Sequence, residues 1–127
     1  MSDRQLPGFD DPALARAVER LKTEEVNRLP FGVILLDSSK RVRFFSQTER
    51  RLSGYGDRPA IGLDFFGDIA PCMSGDGYRG RLDRALQAGT VDIEFQHVGD
   101  FADRERDLRV RIQSAADGGC WIFMSRD

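Results

Sequence analysis

The chain has 127 residues with a formal net charge of −2, and this composition suits one globular domain with a modest core. Its 19 basic and 21 acidic side chains are nearly balanced, which gives no electrostatic basis for binding nucleic acid. No apolar run approaches the roughly 20 residues that span a bilayer, and the polar, acidic start is not a secretory signal. We therefore expect a cytoplasmic protein that does not contact a membrane.

The first half of the chain predicts a helical segment followed by a β-hairpin. Residues 10–12, Asp-Asp-Pro, are typical of a helix start. Apolar residues then recur at helical spacing until Pro30, with a break predicted near residues 22–24. The apolar run 31–37, the turn 38–40 and the alternating segment 42–46 predict two paired strands. Residues 47–53 predict a short helix that ends at Gly54.

The second half predicts a loop over residues 55–59, a single helical turn over 65–69, a helix over 78–88 and three further strands. The strands are predicted from alternating segments at 91–98 and 107–114 and from residues 120–125. Five antiparallel strands with helices grouped on one face form an α+β architecture. We divide the chain into an N-terminal helical cap, 1–28, and a domain, 29–127. We expect the N-terminal helix to cover the outer face of the sheet or to contact a partner.

Cys72 ends the run Ile-Gly-Leu-Asp-Phe-Phe-Gly-Asp-Ile-Ala-Pro-Cys, which begins at residue 61. The run is too short and irregular for a core helix or strand, so it would hold the thiol beside an apolar pocket. A thiolate in such a place can be acylated if its pKa is lowered and it is accessible. A buried structural thiol is the alternative. Cys120 indicates a buried thiol in a strand, and a disulfide between the two is the weaker interpretation without an export signal.

This run, together with residues 30–37, 78–80, 88–89 and 121–123, resembles the photoactive yellow protein family of small PAS-fold blue-light receptors. No gap is needed between Phe31 and Cys72. The resemblance implies a PAS fold, and it implies a thioester between Cys72 and 4-hydroxycinnamic acid (p-coumaric acid). It also implies a loop pocket around the thioester, which would include Phe65, Ile69 and Pro71.

The resemblance assigns roles at the other end of this site. Glu49 falls on the family's buried carboxyl, which hydrogen-bonds the chromophore phenolate and donates a proton, and Ser53 falls on a neighbouring Thr. Phe45 replaces the Tyr that donates a second hydrogen bond, and Tyr55 replaces an Arg that covers the pocket. Losing one such bond costs about 1.5–3 kcal/mol, which is enough to shift the colour and pKa of the chromophore. The Tyr55 hydroxyl is a candidate to replace the missing donor in part. A later pocket aromatic of the family falls near Gly99.

Several residues keep a second interpretation. Glu49 lies in the charge run Thr-Glu-Arg-Arg over residues 48–51, which favours the surface; an inward Glu49 would have a raised pKa. The arginines at 50–51 and at 79, 81 and 84 are typical of solvated faces or of a partner surface. His97 has no second His or Cys at metal-ligand spacing, so we expect no zinc site. Its predicted place on a strand argues against a haem ligand.

Three functional hypotheses follow. The first is a blue-light sensor with a 4-hydroxycinnamoyl thioester on Cys72 and Glu49 as proton donor. It would not be an enzyme, and it would signal to a protein partner as a monomer or weak homodimer. The second is a light-insensitive PAS module that binds another ligand or a protein. The third is a helper protein or enzyme that holds an acyl group as a thioester on Cys72, and it ranks last because the sequence shows no general base near Cys72.

Overall fold

The computed structural model describes residues 6–70, 80–98 and 106–126. Within these ranges the chain forms four α-helices, one π-helical turn and five strands. In chain order they are α1 (Leu14–Glu19), α2 (Thr23–Val26), β1 (Gly32–Leu36), β2 (Val42–Phe45), α3 (Gln47–Ser53), the π-helical turn (Phe65–Ile69), α4 (Arg81–Gln87), β3 (Asp92–Val98), β4 (Asp107–Ser114) and β5 (Cys120–Arg126).

The five strands form one antiparallel sheet in the order β2-β1-β5-β4-β3. The central strand β5 aligns Ile122 with Ile34 of β1 and with Ile112 of β4. Residues that are directly opposite each other in a sheet share one face. The three side chains therefore form an apolar row across the middle of the sheet, and the predicted five-stranded α+β architecture is confirmed.

The inner face of the sheet carries the larger apolar core. Ile34, Ile122 and Ile112 lie under Phe65 and Phe66 of the π-helical turn and under Leu82 of α4 in one buried cluster. Each fully buried side chain of this size contributes roughly 1.5–3 kcal/mol relative to an exposed one. This cluster fixes the position of the helices, and with them the inner-face site described below.

The outer face of the sheet is covered by the N-terminal segment. Leu14 and Val18 of α1 share a second buried cluster with Trp121 and Phe123 of β5. Polar contacts add to this packing, since the Glu19 carboxylate accepts a hydrogen bond from the Trp121 indole at 2.9 Å. The N-terminal helix therefore covers the outer face, as the sequence predicts. The division into residues 1–28 and 29–127 stays a prediction.

The ends of the elements differ from the predictions by a few residues. Helix α1 begins at Leu14, so the predicted start at residues 10–12 is wrong; Asp11 Oδ1 accepts a hydrogen bond from the Ala13 amide at 2.9 Å in a preceding turn. The helical break falls at residues 20–22. Strand β5 reaches Arg126, one residue beyond its predicted end. In the described part of the chain, no helix has the length and apolar character needed to cross a membrane.

Candidate functional site

The start of α3 directs Glu49 toward the inner face of the sheet. Ser46 caps the helix, because its Oγ accepts hydrogen bonds from the backbone amides of Glu49, at 3.1 Å, and Val33, at 3.0 Å. The cap thus ties the first turn of α3 to β1. Glu49 and Ser53 are four residues apart and lie on one side of the helix, and both are buried. The surface location that the charge run favours for Glu49 is therefore wrong.

The Glu49 carboxylate is paired with Arg126 at the end of β5. Arg126 Nη1 donates to Oε1 and Nη2 donates to Oε2, each at 2.8 Å, and both side chains are only 4% exposed. Gly32 of β1 makes room for the carboxylate, because a Cβ at residue 32 would lie 1.7 Å from Glu49 Oε1. Burial strengthens such a two-bond pair by lowering the local dielectric constant.

Phe45, Tyr55 and Ser53 form the neighbouring part of the site. The centres of the Phe45 and Tyr55 rings are 5.2 Å apart, and the Arg50 guanidinium carbon lies 5.2 Å from the centre of the Phe45 ring. The Tyr55 hydroxyl donates to the Pro59 carbonyl at 2.5 Å. The Ser53 hydroxyl donates to the Glu49 carbonyl at 2.6 Å and accepts from the Tyr55 amide at 3.1 Å. Both hydroxyls therefore donate to the backbone.

The predicted loop part of the site is only partly described. Phe65 is buried in the inner core and Ile69 packs against that core. The predicted contacts of Pro71, Cys72 and Gly99 lie outside the described residues. The structure thus brings together Phe45, Glu49, Ser53 and Tyr55, and it places Phe65 and Ile69 in the same apolar cluster as Phe45 and Tyr55.

The second thiol of the chain is unsuited to covalent chemistry. Cys120 is a free thiol, buried on the inner face of β5, and burial raises its pKa to about 12. Because the thiolate is the nucleophile, such a thiol is almost unreactive near neutral pH. His97 is buried on β3, and no group of three or more His, Cys, Asp or Glu side chains in the described ranges could hold a metal ion.

Comparisons with known proteins agree with this architecture. A family model described as PAS fold matches residues 26–127. The photoactive yellow protein of Rhodobacter capsulatus is 30% identical over 117 residues, which cover 91% of this chain and 90% of that protein. That of Halochromatium salexigens is 29% identical over 120 residues, 94% of each chain. The solved photoactive yellow protein domain of the sensor histidine kinase Ppr from Rhodospirillum centenum superposes with a TM-score of 0.79 at 32% identity, covering 88% of this chain and 99% of that domain.

The chain belongs to the photoactive yellow protein family of PAS domains. As a photoactive yellow protein-like sensor, it departs from the expected pattern at the end of the site that would hold the chromophore phenolate. Phe45 has no hydroxyl, and the hydroxyls of Ser53 and Tyr55 donate to backbone carbonyls. Glu49 accepts two hydrogen bonds from Arg126. These four side chains, in this arrangement, do not fit a buried phenolate, which requires donors.

Arg126 is the site residue that the sequence analysis missed in this photoactive yellow protein-like chain. The alternation of side chains along β5 could have identified it, because Cys120, Ile122 and Met124 are buried on the inner face and Arg126 is the next residue of that series. The predicted strand ends at residue 125, so it leaves residue 126 out of the sheet. A cation at the end of an otherwise apolar strand face indicates a buried carboxylate partner, since unpaired charges are rarely buried.

Proposed function

We propose that this photoactive yellow protein-like PAS sensor responds to blue light in the cytoplasm, and that it carries a 4-hydroxycinnamoyl group as a thioester on Cys72. Family membership supports the proposal together with one observation on the site. The predicted residues Phe45, Glu49, Ser53 and Tyr55 are buried and connected to one another by ring contacts and hydrogen bonds. The group itself would supply absorption of light and a change of shape.

Attachment of the group is an acyl transfer to sulfur. The Cys72 thiol would give its proton to the buffer, and the thiolate would attack the carbonyl carbon of an activated 4-hydroxycinnamoyl donor. A carbon–sulfur bond would form, and the leaving group of the donor would depart with the electron pair of the bond that breaks. Cys120 does not compete in this reaction, because burial raises its pKa to about 12.

The remaining parts of the proposal concern proton transfer and signalling. The family resemblance assigns Glu49 the role of proton donor. The pair with Arg126 opposes this role, because a carboxylate has no proton to give, so the proposal keeps the role only for a form of the protein in which the pair is broken and Glu49 is protonated. The output would be a change at the N-terminal segment, which packs on the outer face of the sheet through α1. A signalling protein would bind the surface exposed there, and the sensor would act as a monomer or weak homodimer without catalysing a reaction.

The second candidate is a light-insensitive PAS module that binds another ligand or a protein. One observation favours it: the side chains at the predicted phenolate end engage protein atoms, with Glu49 on Arg126 and Tyr55 on the Pro59 carbonyl. In this case the fold and the inner-face site would be kept while the covalent group is not used. The two candidates differ in whether Cys72 is acylated and whether light changes the protein.

The test supplies the purified protein with the anhydride of 4-hydroxycinnamic acid and follows intact mass and absorption. We expect one adduct in the wild type and in Cys120→Ser and none in Cys72→Ser. Illumination should bleach the absorption band of the adduct, which should recover in the dark. No adduct, or an adduct on Cys120, would exclude the chromophore proposal. An adduct on Cys72 that does not respond to light would favour the light-insensitive module.

A further inference from the structure

The Glu49–Arg126 pair has the geometry of a carboxylate with a guanidinium cation. Each Arg126 Nη donates to a different carboxyl oxygen, both at 2.8 Å. In its usual form a protonated carboxyl directs its hydrogen toward the side on which the two guanidinium N–H groups approach, and this hydrogen would clash with one of them. The parallel two-bond arrangement therefore favours Glu49 in its ionised form. The burial of both side chains also favours the ionised pair, because the Arg126 cation needs a nearby negative charge where water cannot solvate it.

Two elements of the sheet build this pair. Gly32 lies opposite Met124 in the β1–β5 ladder, and Arg126 follows Met124 on the same face two residues later. The guanidinium is thereby brought to the carboxylate that lies over Gly32. The cap at Ser46 positions Glu49, because it fixes the first turn of α3. The pair is thus positioned by the register of β5 and by the absence of a side chain at residue 32.

We propose that Arg126 is a specificity-determining residue that holds Glu49 as a carboxylate, so that the buried end of the site accepts a hydrogen bond from a neutral phenol instead of donating one to a phenolate. A carboxylate attracts a hydroxyl hydrogen and repels a phenolate oxygen. The nearby Arg50 guanidinium lies over the Phe45 ring, and its Nη1 donates to the carbonyls of Gly56 and Arg58. The choice of a phenol rests on the proposed function, whereas the ionisation of Glu49 does not.

The first experiment measures the ionisation of Glu49 in the protein without any adduct. Infrared spectra at neutral pH are recorded with glutamate labelled with carbon-13 at the side-chain carboxyl. We expect no labelled band of a protonated carboxyl in the wild type and a new one in Arg126→Gln, where the buried carboxyl has lost its cation. Arg126→Lys keeps the positive charge and should resemble the wild type. Arg109→Gln is the matched control, because Arg109 also pairs with carboxylates at 2.8 Å but on the exposed outer face.

The second experiment uses the adduct formed with the anhydride. The wild-type adduct should absorb at the shorter wavelength of a neutral phenol, so that the inference moves the response of the proposed sensor from blue light toward the near ultraviolet. Arg126→Gln should shift the absorption to the longer wavelength of a phenolate, which a protonated Glu49 can hydrogen-bond. A protonated-carboxyl band in the wild type that disappears in Glu49→Gln, or a wild-type adduct that absorbs as a phenolate, would overturn the inference. Absence of any adduct by mass contradicts the proposed function alone, and the infrared result then decides the inference.

Discussion

Glu19 offers the sharpest test of how the N-terminal segment is held on the sheet. Its Oε2 accepts hydrogen bonds from the Trp121 indole and the Ala116 amide, both at 2.9 Å, and its side chain is 22% exposed. Glu19→Ala leaves both donors without this acceptor, and each such loss costs about 1–3 kcal/mol. We therefore expect a loss of about 2–4 kcal/mol in the free energy of unfolding. Glu19→Gln keeps an acceptor but not its charge, and we expect about 1–2 kcal/mol.

The same carboxylate makes stability depend on pH. Burial raises the pKa of Glu19, but the hydrogen bonds from Trp121, Ala116 and Arg16 outweigh this effect, so that the pKa is lowered. The folded-state pKa lies below the unfolded one, so Glu19 stabilises the fold above the ordinary Glu pKa of about 4.3. This stabilisation is lost as the pH falls through the folded-state pKa. The difference in stability between the wild type and Glu19→Gln should therefore be largest near pH 7 and shrink below about pH 4.

The assay is urea unfolding followed by Trp121 fluorescence and by far-ultraviolet circular dichroism at pH 7 and pH 3. Glu24→Ala, at an exposed position of α2, is the control and should change stability by no more than about 0.5 kcal/mol. A double-mutant cycle with Trp121→Phe isolates the indole hydrogen bond, for which we expect a coupling of about 1.5–3 kcal/mol. A cost below about 0.5 kcal/mol for Glu19→Ala, or a difference from Glu19→Gln that does not change with pH, would refute the reasoning.

Three further predictions concern the inner face. Arg126→Gln and Glu49→Gln should each lose about 3–5 kcal/mol in urea unfolding, because each removes one charge of a buried two-bond ion pair, and the double variant should lose less than the sum; additive losses would contradict the pairing. Gly32→Ala should cost about 1–3 kcal/mol, because the new Cβ meets the Glu49 carboxylate, whereas Gly8→Ala, with open space around it, should cost almost nothing. Cys120 should resist thiol reagents at pH 8 in the native Cys72→Ser variant and react in urea, since burial raises its pKa to about 12; rapid native labelling would show an accessible thiol.

The strands and α3 could be predicted because their signals are local. The segment 107–114 alternates apolar and polar side chains, and β4 has those bounds. Residues 47–53 are followed by Gly54, which adopts the left-handed conformation that ends α3. The start of α1 could not be placed, because an Asp before a Pro is equally typical of a turn. The Asp11 side chain does form such a turn with the Ala13 amide.

The orientation of Glu49 and the role of Arg126 depend on packing that is not local. The charge run around Glu49 resembles an exposed helix face, and only the Ser46 cap and its contact with β1 turn the residue inward. Arg126 is 77 residues away from Glu49 in the chain, and their contact follows from the alignment of β5 with β1. Sequence spacing cannot supply that alignment, whereas the family resemblance could point to Glu49 because it carries tertiary information.

The side chains at the end of the site that would hold the phenolate all act in one direction. Phe45 removes a donor, Tyr55 directs its hydroxyl to Pro59, and Arg126 converts Glu49 into an acceptor. A phenolate buried there would keep its charge without the hydrogen bonds that make such burial tolerable, at a cost of several kcal/mol. A neutral phenol needs one acceptor, and the Glu49 carboxylate is that acceptor. Phe45 and the pairing of Glu49 with Arg126 are therefore consistent with the proposed site, which would favour the protonated form of a phenol ligand.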